Sequence, residues 1–315
     1  MSGMTQGYGE LVEPHRRELH AHCYRMLGSV QDAEDAVQDT MVRAWRNLPS
    51  FQGRSSVRTW LYTIATNVCL RQIERRRGRV LPAAYGPPGD PVRPLDPPIE
   101  SIWIEPYPDD EPEARYEQRE SVELAFIAAL QHLPPRQRAV LILRDVLGFS
   151  GAEAAAALRT TPASAAAALQ RARDAVGHRL PGRSQQATLS ALGDDRLREI
   201  VGRYVEAWER HDVGALVAML TDDATIAMPP TPTWYRGSAA VAAFLAVRPL
   251  AGGLTWRLTP IRANGQLAAR AELCDPATGE FRLHHTAVLT LRDDRIDEIV
   301  TFLTPWAVSA DVPDC

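Results

Sequence analysis

The spacing of apolar residues along the first third of the chain predicts three helices. Leu19, Cys23, Met26 and Leu27 recur at helical intervals and predict a helix over 11–27, ended by Gly28. In the next helix Ala33, Val37, Met41, Ala44 and Trp45 supply apolar contacts, while Asp32, Asp35 and Asp39 fall at i, i+3 and i+7 on the opposite side. Clustered like charges weaken an isolated helix, so the acid stripe is either a solvated face, eased by Arg43 beside Asp39, or a surface awaiting a basic partner. In the third helix Val57, Trp60, Leu61, Ile64 and Val68 pack one side. Arg58, Thr63, Asn67 and Arg71 lie off that stripe, and Arg75, Arg76, Arg77 and Arg79 follow.

Further helices are predicted near 121–132, 134–147, 150–158 and 162–178. Ser150 with Glu153 has the spacing of a capping box, and Thr161 before Pro162 gives an N-cap with proline at the first helical position. Two capped helices joined by a short turn make a helix-turn-helix. After a Gly/Ser/Gln connection at 182–193 the pattern changes. Helices are expected near 194–210, 212–220 and 238–247, and strands near 224–228, 254–263, 267–275, 280–292 and 295–304, which together predict an α+β domain with a curved antiparallel sheet.

Composition changes the picture between these blocks. Residues 80–120 are rich in proline and acid and read as an extended linker, yet Ile102, Trp103, Ile104 and Tyr107 are too apolar for a solvated tether. The net charge of −4 conceals a partition: 15–79 carries 12 arginines against 6 acids and 124–193 carries 8 against 3, whereas 80–123 carries 3 against 11. Two basic helical blocks suit nucleic acid. The four cysteines, Cys23, Cys69, Cys274 and Cys315, lack metal-ligand spacing, so neither zinc nor a disulfide is expected. No apolar run reaches membrane-spanning length and the first residues lack the order of a secretion signal, so a cytoplasmic location is expected.

The order of acid-striped helix, P-x-F-x-G-x-x-S loop at 49–56, T-W-L-Y-x-I-A-x-N helix and arginine block resembles region 2 of the extracytoplasmic-function (ECF) sigma factors of bacterial RNA polymerase. The string LPPRQRAVLILRDVLGFSGAEAAAAL resembles sigma region 4. The resemblance implies that Asp32, Asp35, Gln38, Asp39 and Arg43 face core RNA polymerase. It implies that Phe51, Arg54, Ser55, Arg58, Trp60, Asn67, Arg71, Arg75, Arg76 and Arg77 capture the minus ten strand of promoter DNA. Region 4 would dock its last helix in the minus thirty-five major groove through Arg136, Arg138, Arg159, Thr161, Ser164, Arg171 and Arg173. This chain departs from the family pattern at Arg71 and Glu74, and also at 163–168, where alanines and one serine stand in place of polar base readers. Alanine touches only a thymine methyl, so phosphate contact and groove shape would carry much of the docking.

The strings Y-V-E-A-W-E-R-H-D, L-T-D-D-A-T-I-A-M-P-P and W-Y-R-G-S-A-A-V-A-A-F-L resemble the SnoaL-like fold, a cone whose mouth often holds a small hydrophobic ligand. Trp208, Met228, Trp234, Tyr235, His284 and Phe302 are its candidate pocket. Asp222 and Asp223 follow a helix, where capping or a turn is their commoner use, and alternation along a strand lets at most one of His284 and His285 enter the pocket. The linker resembles that of SnoaL-bearing ECF factors, with Trp103, Ile104, Pro106 and Tyr107 as its contact residues.

The expected molecule is therefore multidomain: an all-α region 2 domain over 1–79, a linker over 80–120, an all-α region 4 helix-turn-helix over 121–183 and an α+β SnoaL-like cone over 190–315. The expected function is that of a sigma factor whose cone modulates it, without catalysis, cofactor or metal. Two rivals stand beside it. A ligand-responsive helix-turn-helix regulator would not need the acid-striped helix, and a DNA-tethered SnoaL-type enzyme would need a competent pocket.

Overall fold

The computed structural model describes residues 11–53, 55–75, 78–99, 102–109 and 122–308. They divide into two units, one from 1–79 and 124–181, the other from 80–123 and 182–315.

In the first unit α1 (Arg16–Leu27), α2 (Val30–Asn47) and α3 (Val57–Ile73) pack on one another. Gly28 ends α1 at φ 71°, a left-handed conformation that costs glycine little, and its N–H reaches the Tyr24 carbonyl at 2.7 Å. Ser29 caps α2 through the Asp32 N–H, and Ser56 caps α3 through the Thr59 N–H. The rest of this unit follows as α5 (Leu124–Gln131), α6 (Pro135–Leu141) continued by a π turn over Ile142–Val146, α7 (Gly151–Ala157) and α8 (Pro162–Gly177), after α4 (Pro82–Tyr85) of the second unit. Both halves of the Ser150–Glu153 capping box form, and Thr161 caps α8. Helices α5, α6 and α7 also pack against α1 and α3.

The second unit is a six-stranded sheet in the order β2-β1-β6-β5-β4-β3, built from β1 (Leu220–Ala227), β2 (Trp234–Arg236), β3 (Trp256–Ala263), β4 (Gln266–Cys274), β5 (Phe281–Arg292) and β6 (Arg295–Leu303). Helices α9 (Gln185–Glu209), α10 (Val213–Ala218) and α11 (Ser238–Val247) bury one core with Ile226, Leu258, Leu289 and Ile299. The sheet is mixed rather than wholly antiparallel, because β1 runs parallel to β6 after the intervening helix and strands. The connection expected at 182–193 is instead the first part of α9, capped by Ser184 and broken from the rest at Gly193. Its polar side chains serve the sheet: Gln185 exchanges hydrogen bonds with the Leu291 backbone, and Gln186 donates to the Gly265 carbonyl at 2.7 Å. The Glu123 carboxylate accepts the N–H groups of Gln185 and Gln186 at 3.0 and 2.7 Å, an acid at a helix N-terminus.

The acid-rich stretch after residue 80 is no loose tether where it is described. Gly89 donates to the Trp234 carbonyl, Trp234 donates its indole N–H to Gly86, and Asp96 pairs with Thr233, all at the β2 end of the sheet. At the other edge Pro108 bridges Ala263 of β3. There the Asn264–Gly265 turn, with φ of 55° and 68°, exchanges hydrogen bonds with Tyr107 and donates its Gly265 N–H to the Asp109 carboxylate. Trp103 and Ile104 are buried, but Trp103 is covered in part by its own segment: its ring meets Tyr85 edge-on, its N–H donates to Ile99, and its backbone bridges Val80. Pro106 is half-buried.

Candidate polymerase and promoter-DNA surfaces

Two faces of the first unit carry the candidate residues, and the chain treats them differently. On α2, Asp35, Gln38 and Asp39 are exposed, Arg43 is half-buried 3.9 Å from Asp39, and Val42 and Trp45 continue the same face at 48% and 51% exposure. The exposed Trp45 corrects the expectation that it packs inward: the residues that pack are Ala33, Ala36, Val37, Thr40 and Ala44. Asp32 is also corrected. It is 6% exposed and bridged to Arg79 at 2.6 Å, so its charge is spent inside the fold.

On α3 the buried stripe is Leu61, Tyr62, Ala65, Thr66, Val68 and Cys69, which leaves Trp60 half-buried against Phe51 with ring centroids 4.8 Å apart. Arg58 donates to the Glu18 carboxylate at 3.0 Å and lies 4.8 Å from the Tyr62 ring centroid. Burial pushes the Glu18 carboxyl upward, yet hydrogen bonds from His15, Arg58 and Tyr62 outweigh it and hold the group below its ordinary value. Asn67 donates to the carbonyls of Thr63 at 2.7 Å and Ala157 at 3.1 Å, and Thr59 reaches Glu153 at 3.4 Å. Ser55, Arg71 and Arg75 are exposed, while Arg54, Arg76 and Arg77 lie outside the described residues.

In the helix-turn-helix, α8 turns Ala163, Ser164, Ala166, Ala167 and Arg171 to solvent, with Thr161 exposed at its start. Arg136 and Arg159 are exposed, and Arg159 occupies the left-handed turn between the two helices at φ 51°. Arg173 is tied to Asp145 by two bonds of 2.8 and 2.7 Å. Arg138 contradicts its expected role, for it is 2% exposed and donates to the carbonyls of Met26, Gln131 and Leu133 and to the Gln131 side chain. Burial lowers its pKa to about 10.

Residues 11–79 match the Sigma-70 region 2 family, 123–176 match Sigma-70 region 4, and 201–299 match the SnoaL-like domain. Over 300 residues the chain is 44% identical to the ECF RNA polymerase sigma factor SigG of Mycobacterium tuberculosis, covering 93% of this chain and 80% of that one. The chain is an ECF sigma factor. It is also 29% identical over 269 residues to the sigma factor SigJ of Mycobacterium tuberculosis, which spans 81% of this chain and 78% of the relative. The crystal structure of that SigJ aligns with 94% of this sigma factor and 96% of its own chain, at a TM-score of 0.63 and 25% identity.

The pocket expected in the cone of this sigma factor is not assembled from the six residues named for it. Trp234 turns to the linker, Tyr235 is buried against Phe244, and Met228 lies in the core. Phe302 pairs with Thr286, which puts it on the sheet face opposite the one shared by Ala287 and Thr301. Trp208 does meet one histidine of a pair, His285, at 5.6 Å between ring centroids. The register of β5 shifts so that Ala271 faces His285 and Glu272 faces Leu283, leaving His284 as the extra residue of a bulge. The bulge suspends alternation, so both histidines approach Trp256, with their Nδ1 atoms 3.0 Å apart. Burial lowers the pKa of His284 to about 4 and, together with His284, holds His285 well below its ordinary value. Both rings are therefore neutral near pH 7, and no carboxylate is hydrogen-bonded to either among the described residues. Asp222 and Asp223 lie in β1 rather than at a helix cap, and Asp223 pairs with Arg292. No group of three or more metal-ligating side chains occurs among the described residues, and no described helix is long and apolar enough to cross a membrane.

Proposed function

We propose that this ECF sigma factor binds core RNA polymerase through the exposed face of α2 and, in the cytoplasm, directs it to promoters read by α3 and α8. The observation that carries the reading is that face itself, where Asp35 and Asp39 are exposed beside Val42 and Trp45. Acids flanking exposed apolar side chains suit a basic protein partner, with steering from the charges and affinity from the buried apolar area. Run-off transcription with purified core enzyme on a genomic promoter library tests it. Discrete promoter-specific transcripts that require the added chain are expected, and their absence would sink the reading.

The cone acts as a regulator and has no catalytic role. Its Asn264–Gly265 turn supports this, since nearly every polar group there is spent on residues 107–109 and on the Val122 carbonyl. Holding the linker tethers the chain that must follow core polymerase, and tethering makes even a weak contact effective. Asn264→Ala should raise protease cleavage of the linker several-fold and change transcript yield, whereas Trp103→Ala reports mainly on the segment's own packing. A small hydrophobic ligand is retained only as the effector class that a neutral aromatic cluster of Trp208, Trp256 and the two histidines would accept.

A further inference from the structure

Region 4 residues contact Arg58 and Asn67, two of the side chains that the reading above assigns to the minus ten strand, and also Thr59 on the same helix. Three contacts from this segment converge on α3. Ala157 at the end of α7 accepts Asn67, Glu153 at its start receives Thr59, and the Phe149 ring before it stands edge-on to Tyr62 at 5.7 Å and 5.8 Å from the Arg58 guanidinium. A second anchor holds the arrangement. Arg138 and Gln131 donate to the carbonyls of Met26 and Arg25 at the C-terminus of α1, where helix geometry leaves carbonyls without partners.

We propose that α7 masks the DNA-reading face of α3, so that single-stranded promoter DNA and the first helix of the helix-turn-helix compete for Arg58, Thr59 and Asn67. The inference rests on the assignment of α3 to the minus ten strand. Its physical basis is that the donors are already bonded: a base or phosphate approaching Asn67 must displace a carbonyl, and one approaching Arg58 must displace Glu18 and an aromatic edge. Opening frees α3 but strips the Met26 and Arg25 carbonyls of their donors, a cost that favours the closed state in the free chain. A ligand that binds only the open state shifts the population in proportion to its preference for that state.

The test uses the full chain with Thr59→Cys and Glu153→Cys in a background of Cys274→Ser and Cys315→Ser, joined by a short bis-maleimide. The comparison protein carries the same substitutions, each thiol capped with a monofunctional maleimide. Binding of a fluorescent single-stranded oligonucleotide bearing the non-template minus ten sequence is followed by anisotropy with core polymerase present. The joined protein is expected to bind at least tenfold more weakly than the capped one. Joining yield should be high in the free chain and fall at least threefold when core polymerase is added first. Equal oligonucleotide binding by the two proteins overturns the masking, as does a joining yield that core polymerase leaves unchanged. If the capped protein with core polymerase fails to bind the strand at all, the assignment of α3 fails, and the masking falls with it.

Discussion

Helices α2 and α3 are neighbours in one helical unit, and each presents a polar face suited to a macromolecule, yet one face is vacant and the other is engaged. Asp35, Gln38 and Asp39 of α2 point to solvent, whereas Arg58, Thr59 and Asn67 of α3 are bonded to Glu18, Glu153 and Ala157. The difference suggests an order of events. A surface that is open in the free chain can meet its partner first, and one that is occupied must wait for a rearrangement that the first encounter can drive. Exposed charge at α2 costs the fold little, so it can be kept ready. Exposed arginine and asparagine on α3 would bind nucleic acid non-specifically, and intramolecular bonds suppress that.

The largest effect is expected at the vacant face. Asp35→Arg with Asp39→Arg should lower co-purification with core polymerase by ~100-fold, because like charges placed across an interface cost several kcal/mol. The urea midpoint should stay within ~0.5 kcal/mol of the parent, since neither carboxylate is buried. Retained co-purification would erase the contrast between the two faces.

Next comes the anchor beneath the engaged face. Arg138→Ala should cost ~3 kcal/mol in urea unfolding of the first unit, because it leaves buried carbonyls of Met26, Gln131 and Leu133 without their donor. Arg138→Met, which refills part of the volume, should cost less. A loss under ~0.5 kcal/mol in both variants would mean that the anchor does not hold in solution.

A smaller, pH-dependent effect follows from His22, which is fully buried on α1 and bonded to Thr66 of α3 at 2.9 Å. Burial lowers its pKa from 6.5 to about 3. Below about pH 6.5 the unfolded chain binds a proton that the folded chain refuses, so stability falls as pH falls and levels off near pH 3. The slope approaches ~1.4 kcal/mol per pH unit, or ~2 kcal/mol lost by pH 5. His22→Gln should flatten that slope; an unaltered profile would remove His22 as its source. The smallest effect belongs to a single exposed arginine. Arg75→Ala should reduce the salt dependence of promoter-DNA binding by about one counterion and leave binding to core polymerase unchanged.

What the sequence disclosed depended on the distance over which each residue acts. Ser150 with Glu153 and Thr161 with Pro162 specify their helix starts within four residues, and both caps form as their spacing predicts. Asp32 looked like a third member of the acid stripe because its partner, Arg79, lies 47 residues on. Arg138 resembled any phosphate-holding arginine of a helix-turn-helix until the carbonyls of α1, 112 residues earlier, came within its reach. His284 and His285 defeated the rule of alternation through one extra residue in a ladder, which no property of the pair itself announces. Gln185 and Gln186 read as a connection because their polarity serves the backbone of Leu291 and Gly265, 106 and 79 residues away.

The carboxylate of Glu123 has a topological consequence. It receives the N–H groups of Gln185 and Gln186, while the neighbouring Val122 carbonyl receives Asn264, so the second unit is closed by hydrogen bonds close to where residues 124–181 leave and rejoin it. Within the second unit, the region 4 helices are an insertion with a closed neck. Loop closure over that span is already provided in the native fold, and lengthening it adds little entropic cost. A short glycine-serine bridge from Glu123 to Gln185 should therefore leave the cone and the linker segment bound to it intact without the region 4 helices, and helix-turn-helices of other lengths and specificities could be grafted at the same neck, which makes this junction a natural site for recombination between chains.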